Sequence, residues 1–79
     1  VPGVKYHEGR WAALREVART ARAGVPGTSL AATARAALTA WGAQLVALET
    51  SGAGEDWLAY RTGGVDAIAA LLADLEVDS

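Results

Sequence analysis

Few side chains in this 79-residue chain could carry acid–base, nucleophilic or metal chemistry. It has no cysteine, and His7 is its one histidine. A structural zinc site draws four ligands from Cys and His, and a helical metal-hydrolase site needs two histidines one turn apart. The pair His7-Glu8 supplies neither pattern. The carboxylates Glu49, Glu55, Asp56, Asp66, Asp74 and Glu76 are spread over helix exteriors and ends, without the paired arrangement that acid–base catalysis uses. The glycines at 24, 27, 52, 54, 63 and 64 read as turn residues, not as a phosphate-cradling loop. The expectation is a non-catalytic protein with no metal and no cofactor.

Residues suited to recognition are more numerous. Arg15, Arg19 and Arg22 share one side of a helix at i, i+4 and i+7, where they could meet an anionic partner. Ala32, Ala36, Ala40, Ala43 and Ala47 form a stripe without a single charge, whereas a solvated helix face ordinarily carries Lys, Arg or Glu. This face is expected to be covered by other helices or by a second chain, although alanine also serves as a plain helix former. Trp57 opens a short turn beside a glycine-rich loop, with Tyr60 next to it, where an aromatic is easily presented to a partner.

Three long segments and one short one must position these residues. From about Arg10, or from further upstream if Gly9 is tolerated, to Ala23, the residues Trp11, Leu14, Val17, Ala18 and Ala21 recur with helical period, and Gly24 and Pro26 stop the helix. The second segment, from a Thr28 or Ser29 cap to about Glu49, places Leu30, Ala34, Leu38, Trp41, Leu45 and Leu48 on one stripe. After the loop 50–55, Asp56 is expected to cap a turn over 56–61, which Gly63-Gly64 break before a last helix over 65–75. On that helix Val65, Ile68, Leu71, Leu72 and Leu75 face one way. The fold class is therefore all-α: a three-helix bundle with a short extra turn (about 10–23, 29–49, 56–61 and 65–75). The second helix is expected at its centre, with Trp11 and Trp41 in the core.

Two segments resemble known families. Leu14–Ala18 (LREVA), ahead of Ala23-Gly24-Val25, resembles the first helix and turn of helix-turn-helix regulators. That implies DNA binding through Arg15, Arg19 and Arg22. The turn comes two residues late, however, and the following helix offers only Arg35, Thr33, Thr39 and Gln44 to bases or phosphates. Gly27-Thr28-Ser29-Leu30 resembles the attachment motif of acyl and peptidyl carrier proteins, which implies phosphopantetheine on Ser29. In this chain Thr28 stands where that motif has aspartate.

Composition sets the outer bounds. Apolar residues make up 52% of the chain, but nearly half of them are alanine, so bulky side chains are scarce for one small domain. Residues 1–40 carry six basic groups against two acidic ones, and residues 41–79 one against seven. Such a lopsided charge steers partners. With no disulfide to help, tight helix packing or a partner surface must supply the remaining stability. No run of about 18 apolar residues is present, so no membrane span is expected. Arginine in excess of lysine, with abundant alanine, suggests a bacterial source. Residues 1–79 are read as one cytoplasmic helical domain, complete or cut from a longer chain. Its expected role is protein–protein interaction or self-association, ahead of nucleic-acid binding.

Overall fold

The computed structural model describes residues 2–77, and side chains from Gly3 onward. Three helices account for almost all of it: α1 (Pro2–Ala23), α2 (Leu30–Ser51) and α3 (Glu55–Val77). They pack as an all-α three-helix bundle. Short connections make α1/α2 and α2/α3 antiparallel hairpins, so α1 and α3 run in the same direction.

The ends of α2 follow from local chemistry. Ser29, in extended conformation, caps the helix by accepting a 3.0 Å hydrogen bond from the Ala32 amide on its Oγ. At the other end Gly52 adopts φ 73°, a left-handed conformation that only glycine takes without strain. The amides of Gly52 and Ala53 then reach back to the carbonyls of Glu49 and Leu48, at 3.3 and 3.0 Å. Glu55 and Asp56 lie in the first turn of α3, where they suit the helix dipole. Asp56 is therefore inside the helix, not its cap. At the opposite end Glu76, adverse to the dipole, pairs with Arg35 of α2 at 3.4 Å. Asp78 lies outside the described residues.

Two expectations about element boundaries change. Residues 56–61 and 65–75 belong to a single helix, and Gly63-Gly64 do not break it. Helix α1 also begins about two turns before Arg10 and runs through Gly9. In each case the glycine's helical cost, about 1 kcal/mol relative to alanine, is offset by a tertiary contact that glycine alone allows. A Cβ on Gly9 would collide with the Tyr60 carbonyl, lying 2.7 Å from its carbon. A Cβ on Gly63 would collide in the same way with the Tyr6 carbonyl, 2.9 Å from its carbon. The crossing is thus reciprocal. Tyr6-x-x-Gly9 on α1 meets Tyr60-x-x-Gly63 on α3, and each glycine receives the other helix's tyrosine carbonyl.

Adjacent residues on a helix point about 100° apart, and α3 uses this at its double glycine. Gly63 admits the backbone of α1, while Gly64 admits the indole ring of Trp41 from α2. That makes α3 the central element, in place of α2: it packs extensively on both neighbours, while α1 and α2 touch only slightly.

The core is small. Ala13, Val17, Ala34, Trp41 and Ile68 are buried in one cluster, flanked by Leu38, Val65, Leu71 and Leu72. Trp41 takes its expected place, as do the apolar faces of α2 and α3 around Ala34 and Ile68. Trp11 does not. The buried face of α1 is Gly9, Ala13 and Val17, and Trp11 lies roughly 200° from Ala13 around the helix, pointing outward. Close backbone contact with α3 needs small residues at the seam, which excludes the indole from it.

Candidate interaction surface

Trp41 anchors the internal end of an aromatic cluster. Its ring stacks on Tyr60 with centroids 5.6 Å apart, and Tyr60 meets Trp57 edge-on at 6.2 Å. The Arg61 guanidinium lies over Trp41 at 4.4 Å and over Tyr60 at 5.5 Å. The Trp41 Nε1–H donates to Glu16 Oε2 at 2.8 Å, tying α2 to α1 and satisfying the one polar atom of an otherwise buried side chain. From this internal base the cluster emerges at Trp57, which is 60% exposed. Tyr60 is half-buried and acts as the link between the two tryptophans.

A groove of about 480 Å³ runs beside Trp57 between the end of α2 and the start of α3. Gln44, Ala47, Leu48, Ser51, Trp57 and Arg61 line it. A second groove, of about 370 Å³, lies between α1 and the first half of α2, with Glu16, Thr20, Thr33, Ala32 and Ala36 among its walls.

The alanine stripe divides. Ala36, Ala40, Ala43 and Ala47 are exposed, and no helix of this chain covers them; Ala32 is half-buried at the second groove. Val46, 61% exposed, adds a larger apolar side chain to the same helix.

The outward side of α1 carries, beside the expected arginines, an apolar surface that sequence reasoning missed. Val4, Trp11 and Leu14 are all exposed, and Trp11 is the most prominent of them at 62%. Arg15 lies over the Trp11 ring at 4.2 Å, while Arg19 and Arg22 are exposed further along the same helix. His7 is also exposed, edge-on to Tyr6. Val4, Trp11 and the half-buried Ala18 are seven residues apart with Leu14 between the last two, the a/d spacing of a helix-packing seam. This spacing was available in the sequence, but the helical period through Trp11, Leu14 and Ala18 reads equally well as a core face.

Among the described residues no three His, Asp or Glu side chains gather as a metal site, and no helix is long and apolar enough to cross a membrane. Ser29 sits exposed at the start of α2, with its Oγ engaged as the helix cap. Comparison with protein-family profiles, curated proteins and solved structures finds no match to this chain.

Proposed function

We propose that this chain is a non-catalytic helical interaction module, acting in the cytoplasm, that docks a protein partner through the outward face of α1. The observation that carries this reading is Trp11: a large aromatic, 62% exposed, held against Arg15 within an apolar line that the bundle does not need. Tryptophan and arginine are the residue types that most often dominate interface energetics. A tryptophan braced by a neighbouring guanidinium loses less rotamer freedom when a partner arrives. The partner that fits is an amphipathic helix with acidic flanks, its apolar side on Val4, Trp11 and Leu14 and its carboxylates toward Arg15, Arg19 and Arg22. The uncharged alanine face of α2 provides a second contact area for a larger partner or another copy of the chain.

Association measured by sedimentation and by co-purification tests this proposal. Trp11→Ala is expected to remove the bound partner while leaving the melting temperature nearly unchanged. Ala36→Glu or Ala40→Glu is expected to disturb association more than Arg35→Glu. A monomer at all concentrations, with co-purifying proteins unaffected by Trp11→Ala, would refute the reading. Binding to duplex DNA that falls steeply with salt and disappears when Arg15, Arg19 and Arg22 are replaced by alanine would move the protein into the nucleic-acid-binding class.

A further inference from the structure

The groove beside Trp57 contains a charge that the protein leaves unpaired. Arg61 is half-buried, and among the described residues it makes no hydrogen bond and no ion pair; its contacts are the faces of Trp41 and Tyr60. Its own helix cannot supply a counterion one turn away, because positions 57, 58, 64 and 65 are Trp, Leu, Gly and Val. Stacking on Trp41 holds the guanidinium in place, so its donors are arranged before any ligand arrives. The other walls are Ala47, Leu48 and Trp57, with the Gln44 amide and the Ser51 hydroxyl as polar edges. Ser51 already donates to the Leu48 carbonyl at 3.1 Å.

We infer that this groove binds a small carboxylic acid with an apolar or aromatic body. The carboxylate takes the paired N–H donors of Arg61, and the body lies against Trp57, Leu48 and Ala47. The groove volume, about 480 Å³, is within the usual range for small-molecule sites, roughly 300–1,000 Å³. The single positive charge matches a monoanion. Glu49, Glu55 and Asp56 at the same end of the bundle are exposed and repel polyanions such as nucleic acids. The inference stands apart from the docking role of α1, since the groove lies between α2 and α3.

Titration of the intact chain with 4-phenylbutyrate and with octanoate, followed by NMR at the tryptophan indole N–H groups and at the Arg61 Nε–H, tests the site. At least one acid is expected to give saturable shifts at Trp57 and Arg61, with little change at Trp11. The neutral 4-phenylbutyramide is expected to bind about tenfold more weakly than its acid, in line with loss of a charge-assisted contact. Arg61→Gln is expected to weaken the acid by a similar factor. Because Arg61 also covers Trp41, Trp57→Ala provides an independent variant at an exposed position, expected to keep the fold and lose binding. The inference is overturned if neither acid saturates, if the amide matches its acid, or if Trp57→Ala leaves the affinity unchanged.

Discussion

Alanine substitutions at four helical glycines should divide by sign. All four lie inside helices, so each Gly→Ala change gains about 0.8–1 kcal/mol of helix propensity. At Gly42 nothing lies within 4 Å of the new Cβ, and the gain should be kept. At Gly9 and Gly63 the methyl would meet the backbone carbonyl of Tyr60 or Tyr6, with carbon–carbon separations of 2.7 and 2.9 Å. A backbone carbonyl in a helix cannot rotate aside, so α1 and α3 must move apart along their seam. Overpacking of this kind costs about 1–3 kcal/mol, occasionally more. With the propensity gain subtracted, a net loss of up to about 2 kcal/mol is expected. For a domain of this size each kcal/mol shifts the melting temperature by about 4–8 °C. Gly42→Ala should therefore melt roughly 3–8 °C higher than the parent, and Gly9→Ala and Gly63→Ala should melt lower, by up to roughly 16 °C. The double variant Gly9→Ala/Gly63→Ala should lose less than the sum, because the first methyl already opens the gap that the second occupies. Gly64→Ala meets the Trp41 ring, so its loss should be accompanied by a change in tryptophan emission. Thermal and urea unfolding followed by circular dichroism provide the assay. Stabilisation by Gly9→Ala or Gly63→Ala comparable to that of Gly42→Ala would refute the close helix crossing.

The tryptophans should separate in the same assay. Trp41→Ala removes a buried ring and should cost about 3–5 kcal/mol, enough to unfold most of a domain this small, whereas Trp11→Ala and Trp57→Ala should each leave the unfolding midpoint nearly unchanged. Glu16→Leu takes the acceptor from Trp41 Nε1–H and should cost about 1–3 kcal/mol, while Glu16→Gln, which keeps an acceptor oxygen, should recover most of it in urea titrations. Ser29→Ala should cost about 0.5–2 kcal/mol through loss of the α2 cap, and Ser29→Asp should restore it. Equal melting of the alanine and aspartate variants would show that the cap contributes nothing.

Local structure was largely legible. Thr28-Ser29 before Leu30 mark the start of α2, the structure choosing Ser29 as the cap, and the bulky spacing through Ala34, Leu38 and Trp41 identifies its buried face. Val65, Ile68 and Leu72 do the same for the last part of α3. These signals are local because an amphipathic helix records its burial in its own periodicity. On the candidate surfaces, the exposure of Trp57 was legible from its glycine-rich surroundings, whereas that of Trp11 was not.

What the sequence determined by itself is the helical class, the N-terminal cap of α2 and the lopsided charge, all properties of residues near one another in the chain. Tertiary structure alone decided what Gly9, Gly63 and Gly64 do. A glycine in a helix is a defect when only its neighbours in sequence are considered, and the helix is expected to stop there. It becomes the point of closest packing when another backbone or an indole ring fills the space that a side chain would occupy. That contact joins positions more than fifty residues apart, Gly9 with Tyr60 and Gly63 with Tyr6. It keeps α3 continuous, makes it the centre of the bundle and turns Trp11 out to solvent.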